Sequence, residues 1–234
     1  APAQSWDEYM LAFNSIEDAH GFCRTMFDSV GIAKRELGLY NPAAAAYFSD
    51  VPSDLKAGEF MVVSLVAEQS KTPMLDLLAE YNGRVAWTQS FEEMTQSGLT
   101  MMEHCWNHAT LHALKHDKSF TNLQTNYDAE NVLQQLADLK AETGDEVEIH
   151  LEYIRLANGQ LLITGLPLVR YSSAERLQEI MDIHEKLGIK INNSHVYTLE
   201  DGKHGGSLSD EIKASIKAYD PHRLLNRGKV RSMN

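Results

Sequence analysis

The stretch EVEIHLEYIRLANGQLLITGLPLVRY, Glu146 to Tyr171, limits the folds open to this chain more than any other segment. Polar and apolar residues alternate along Glu146–Leu156, the period of a strand with two unlike faces. Asn158-Gly159 follows, the strongest hairpin signal in the chain, since both residues accept positive φ. Gln160–Arg170 then returns as the partner strand. An antiparallel sheet is therefore expected.

The flanking sequence extends this sheet. Trp6–Phe13 reads as a strand. Ser15 caps a helix, with Asp18 at the capping-box position, and Gly31 stops it. Ala33–Leu39 and the very apolar Glu59–Glu68 read as strands, Thr72–Tyr81 as a helix and Arg84–Thr88 as a short strand. This is the β-α-β-β-α-β order of a ferredoxin-like unit. The order recurs: a strand over Phe120–Tyr127, a helix over Ala129–Thr143 capped by Asp128, the hairpin, a helix from Ser172/Ser173 to Leu187, and a strand over Ile189–Tyr197. The expected fold is α+β, with two ferredoxin-like halves (about 1–90 and 118–200) built on antiparallel sheet. A tail, 207–234, carries a helix over Leu208–Ala218, and Pro221 lies where a helix cannot continue.

Bulk properties exclude several partners. The chain has 234 residues and a net charge of −12, so neither a nucleic-acid backbone nor an anionic membrane is expected as a partner. No apolar run approaches a membrane span, and the N-terminus lacks the regions of a signal peptide. Two distant cysteines, Cys23 and Cys105, read as free thiols of a reducing compartment, and a cytoplasmic location follows as the expectation. The segment Arg223–Arg231 is locally basic, as suits a phosphate-bearing ligand or a solvated tail.

Four constellations carry possible chemistry. In HCWNHATLHALKH, His104, His108, His112 and His116 recur every four residues, and on a helix each step turns the face by about 40°. A pair such as His108/His112 can chelate an ion. All four cannot, because the ends of such a helix lie about 18 Å apart, and the Glu of an HExxH motif is missing. Interfacial histidines satisfy the same spacing. On the alternating strand, His150 and Glu152 share a face, either lining a cleft or facing solvent. His195 and Tyr197 project together from a strand end, suited to proton transfer or to a plain hydrogen-bonded pair. In DPHRLLNRGKV, Gly228 permits close backbone approach and Lys229 supplies a point charge.

The tail AYDPHRLLNRGKV resembles the FDPxxLLNPGK ending of FAD-linked oxidases of the vanillyl-alcohol oxidase type, with Tyr219 for Phe and Arg227 for Pro. The segments WNHATLHALK, HLEYIRLANGQLLITGLPLVRY and NSHVYTLEDG resemble a bacterial branch of the same family. The resemblance runs from Trp6 onward and implies a substrate-cap domain over 1–206, followed by a tail that returns to an N-terminal FAD-binding domain. No glycine-rich counterpart of that domain is found in this sequence. The implied activity is oxidation of an alcohol or hydroxy acid, with a small-molecule substrate and FAD held mainly by the other domain. By the same resemblance, His195 lies near the reactive edge of the flavin as a proton acceptor, and Asn107, His108 and His112 line the cleft. Asn226, Gly228 and Lys229 contact the FAD, and Arg155 and Arg170 anchor a carboxylate. The HxGDGNxH and GEHG patterns of the family's metal-dependent members are absent apart from His150 and His195, so no metal ligand is assigned. The alternatives are a stand-alone module that homodimerises through the surface the flavin domain would cover, and a His-rich metalloprotein.

Overall fold

The first strand, β1 (Trp6–Phe13), is buried on both faces from Tyr9 onward, so it lies in the middle of a sheet covered on both sides. The computed structural model describes residues 5–192, 196–200, 208–225 and 227–233. After β1, α1 (Ile16–Asp28) starts where Ser15 Oγ accepts the amide of Asp18. There follow β2 (Lys34–Tyr40), a short α2 (Pro42–Ala45), β3 (Phe60–Ala67), α3 (Lys71–Glu80) and β4 (Arg84–Gln89). Next come α4 (Phe91–Ser97), α5 (Asn107–His116), β5 (Phe120–Asn122), β6 (Gln124–Tyr127) and α6 (Val132–Thr143). The described chain closes with β7 (Val147–Glu148), β8 (His150–Arg155), β9 (Leu161–Gly165), β10 (Leu168–Arg170), α7 (Ala174–Lys186), β11 (Lys190–Asn192) and α8 (Asp210–Tyr219).

Eight strands form one antiparallel sheet in the order β11-β6-β9-β8-β2-β3-β1-β4. The last four are one ferredoxin-like unit and the first four are a second, so the fold is α+β with two such halves. The halves meet edge to edge. Their second strands pair antiparallel, Gly38 opposite Glu152, Leu39 opposite Leu151 and Tyr40 opposite His150. This pairing removes two exposed strand edges and makes the sheet continuous.

Period-two alternation then divides the side chains between two cores. Tyr9, Leu11, Phe13, Leu151, Tyr153 and Ile163 pack under α1, α3, α6 and α7. Met10, Ala12, Tyr40, Met61 and Val63 pack on the opposite face against α2, α5 and Phe48.

Three strands expected to be continuous are broken. Phe120–Tyr127, Glu146–Leu156 and Gln160–Arg170 each divide between the large sheet and a three-stranded sheet, β5-β10-β7. The breaks fall at Leu123, Ile149 and Leu166-Pro167. Pro167 has no amide to continue a ladder, and the Leu123 amide turns to its carbonyl instead. Of the strand expected over Ile189–Tyr197, Lys190–Asn192 is formed, residues 193–195 lie outside the described residues, and Tyr197 lies outside any strand. The helix expected from Ala129 begins at Val132, because the Asp128 carboxylate binds the Glu130 amide and the Asn131 side chain in a turn before it. Both cysteines are free and buried. Among the described residues no helix is long and apolar enough to cross a membrane.

Gly165 marks where the hairpin packs closest. A Cβ there would stand 2.4 Å from Thr125 Oγ1 and 2.8 Å from the Tyr127 ring, whereas one on Gly31 meets nothing within 4 Å. Gly165→Ala is expected to lower stability in urea unfolding by about 1–3 kcal/mol. Gly31→Ala is expected to stay within about 0.5 kcal/mol.

Candidate functional site

The pairing of β2 with β8 places two carboxylates side by side. Glu152 stands opposite Gly38, and Glu36 lies two residues along β2 on the same face. A register shift between Lys34 and Glu36 re-aims the start of β2. Gly38 supplies the room: a Cβ there would lie 3.0 Å from Glu152 Oε2. Glu152 is 1% exposed and Glu36 6%.

Three residues clamp the pair. His150, on the same face of β8, donates from Nε2 to Glu152 Oε1 at 2.6 Å and stacks on Tyr40 with ring centroids 4.2 Å apart. The Trp106 indole donates to Glu36 Oε2 at 3.2 Å, and the Trp106 backbone lies near enough to Glu152 to lower its pKa. Trp106 reaches both carboxylates by holding φ at +53°, a left-handed conformation that costs a non-glycine residue on the order of 1–3 kcal/mol.

Two carboxylates this close and this buried cannot both ionise. Burial raises the Glu36 pKa to about 9, with the charge of Glu152 and the hydrogen bond between them adding to the rise. Burial raises the Glu152 pKa to about 7, against the pull of Glu36 and the Trp106 backbone. Glu36 therefore holds its proton more tightly, and Glu152 is the member that ionises first. The proton fits Glu36 Oε1, a buried oxygen with no hydrogen-bond partner among the described residues. His150 is driven down to about 3 by burial, so the imidazole is neutral.

Across the sheet, Glu152 ends a cross-strand row on one face: Lys190 pairs with Asn126, Asn126 with Thr164 and Thr164 with Glu152. Asn126 and Thr164 are partly open to solvent. The row is polar and leads from the surface to the dyad.

A second cluster surrounds a cavity of about 570 Å³ lined by Asp50, Trp87, His104, His108, His112 and Lys115 among others. The four histidines do not share a helix. Helix α5 starts at Asn107, and His104 lies before it, beyond the turn at Trp106. His104 nevertheless stacks on His112, with centroids 4.1 Å apart. A file of rings links the clusters: His150 on Tyr40, Tyr40 against Phe48 at 4.9 Å, Phe48 against His104 at 5.5 Å, then His112. Burial, and then the neighbouring His112, lower the His104 pKa.

The expected site residues therefore separate. His150 and Glu152 come together, and they face neither solvent nor an open cleft. His108 and His112 line the cavity, and Asn107 is exposed at the start of α5. Arg155 projects from the other face, its guanidinium 4.0 Å over the Phe27 ring and bonded to the Phe27 and Gly159 carbonyls, so it anchors no carboxylate at this site. Arg170 is held by Glu148 and Asp117. In the tail, Lys229 lies 3.5 Å over the Tyr197 ring, beside Gly228, whose φ is +74°. His195 and Asn226 lie outside the described residues. Glu36, Trp106, Asp50 and His104 complete the two clusters, and of these only His104 was marked in the sequence, by the spacing of the four histidines.

Two solved structures, alkyldihydroxyacetonephosphate synthase in P212121 and in P1, share the fold with TM-scores of 0.51 and 0.53. Each is 12% identical, and the match covers 80% of this chain and 40% of theirs. The chain spans about 40% of the length of those relatives, and at this identity the likeness establishes the fold alone. No family model and no curated protein matches the sequence.

The proton on Glu36 has a consequence for stability. The folded state keeps it to about pH 9, whereas an unperturbed glutamate releases it near 4.5. The stabilisation is therefore full below pH 4.5 and is lost as pH rises towards 9. Glu36→Gln, which keeps a donor without the acid, is expected to flatten this alkaline limb and to stabilise at pH 8.5 by on the order of 1–3 kcal/mol, read from melting temperatures across pH.

Proposed function

We propose that this chain is the substrate-cap portion of an FAD-dependent oxidoreductase acting on an alcohol or hydroxy acid. The observation that carries the reading is the continuous eight-stranded sheet of two ferredoxin-like halves, an architecture it has in common with part of alkyldihydroxyacetonephosphate synthase. The LNxGK-like tail supports the same assignment. Fold does not choose the reaction, so the chemistry is argued from the site.

The donor set suits the ring end of FAD. Asn126 and Thr164 offer hydrogen-bonding groups to the edge of a flat polar heterocycle, with Lys190 at the outer end of the row. Gly228 and Lys229 would meet the cofactor from the tail. Bound FAD supplies the hydride acceptor that oxidation of a carbinol carbon requires.

The chain's own contribution is the management of a proton. Glu152 is shut off from solvent at the inner end of the polar row, so in this reading its carboxylate takes the proton of the Thr164 hydroxyl opposite it as that hydroxyl takes the proton of the substrate. Glu36 keeps the neighbouring proton in place, and neutral His150 and Trp106 hold the acceptor oxygens in fixed directions. The tail exposes Tyr219 (88%), Leu224 (74%) and Leu225 (69%), the apolar surface this reading assigns to contact with an FAD-binding domain.

The test mixes the full chain with a separately expressed FAD-binding domain of an FAD-linked oxidase and follows bound flavin and turnover of hydroxy acids and alcohols. A 1:1 complex with reducible flavin is expected. Glu152→Gln should leave the flavin bound and lower turnover about 10²–10⁴-fold. Failure of the chain to form a complex that retains flavin would refute the assignment.

A further inference from the structure

The cavity beside α5 holds a set of donors that the proposed oxidation does not use. Asp50, His104 and His112 each place one donor atom within 4.8 Å of the others. His112 donates from Nε2 to the Glu103 carbonyl at 3.0 Å. That bond fixes the tautomer and leaves Nδ1 with its lone pair, which accepts from Lys115 at 3.4 Å with Asp50 Oδ2 3.9 Å away. A histidine oriented in this way by a backbone carbonyl on its other nitrogen is how proteins prepare an imidazole for an ion.

His104 supplies the independent observation. Both of its ring nitrogens are shielded from solvent, and neither makes a well-formed hydrogen bond among the described residues, the Thr100 backbone coming near enough only to raise the His104 pKa slightly against burial. Leaving such atoms unmet costs roughly 1–3 kcal/mol each, and native structures rarely leave them so without a ligand, water or function to account for it. The protein also brings a cation of its own to the place: the Lys115 ammonium lies 3.4 Å from His112 Nδ1 and 3.6 Å from Asp50 Oδ2. Lys115 and Asp50 are both well exposed, so the ammonium can withdraw and the carboxylate can swing inward.

We propose that Asp50, His104 and His112 bind a divalent first-row transition ion such as Zn²⁺, with its fourth position open to the cavity. Two imidazoles and a carboxylate suit zinc, whose ligands stand about 2.0–2.1 Å away and hence roughly 3.4 Å from each other in a tetrahedron. The donors need to close by about 1.4 Å at most. Binding turns one imidazole out of the His104–His112 stack, because parallel stacked rings aim their lone pairs side by side. Three protein ligands and one open position are the arrangement of catalytic rather than structural zinc sites.

The proposal is independent of the flavin assignment, and its test uses no flavin. The full chain, stripped with chelator, is titrated with Zn²⁺ by calorimetry and with Co²⁺ by visible absorption. One equivalent is expected, with the intense visible bands of four-coordinate Co²⁺. His104→Gln and His112→Gln should abolish the site. Asp50→Asn, on an exposed side chain that leaves the fold unchanged, should weaken binding at least tenfold. Lys115→Met should tighten it, because the competing ammonium is gone. The proposal is overturned if the wild-type chain takes up no ion, or if the Asp50 and Lys115 variants both bind as the wild type does.

Discussion

The antiparallel pairing of β2 with β8 is the interaction on which the rest of this structure depends. It turns two four-stranded units into one sheet, so that neither half exposes its second-strand edge. It also sets Glu152 opposite Gly38 and diagonal to Glu36. Without that register neither carboxylate would meet the other. Two acidic residues that would otherwise be ordinary surface glutamates become a buried pair, of which Glu36 holds its proton the more tightly.

The surrounding elements follow from the need to keep that pair satisfied. Gly38 gives up a side chain so that Glu152 fits. Trp106 adopts a left-handed backbone, gives its indole hydrogen to Glu36 and brings its backbone near Glu152. The same irregular turn ends the preceding segment and starts α5 one residue later, which sets His112 beneath His104. The strained residue at the seam and the histidine cluster at the cavity are therefore consequences of a single turn, and the ring file from His150 to His112 is its packed record.

Much of this was legible in the sequence wherever the determinant was local. Trp6–Phe13 has the limits its pattern dictates, Ser15 and Ser173 cap the helices they precede, and the two βαββαβ orders appear as read. His150 and Glu152 share a face because alternation is a property of one strand. The rest depended on distant partners. Nothing near Leu123 or Ile149 signals that a strand leaves one sheet for another, since the breaks are set by pairing with β10 and by Pro167. Arg155 reads as a free anchor until Phe27 is brought beneath it. Glu36 sits in KRE, a run that reads as solvated charge, and only the β2–β8 register buries it. The spacing of the four histidines suggested one helix face, and the positive φ at Trp106 breaks that helix before His104.

The most direct test of the seam is the ionisation of its two acids, followed in the wild-type chain by isotope-edited infrared or carbon-13 NMR of glutamate carboxyls across pH. One protonated carboxyl persisting through pH 7, lost on replacing Glu36 with Gln, is the expected result. If every glutamate instead titrates near 4.5, the ordinary value, then Glu36 does not hold its proton and the seam is not the polar centre of the fold.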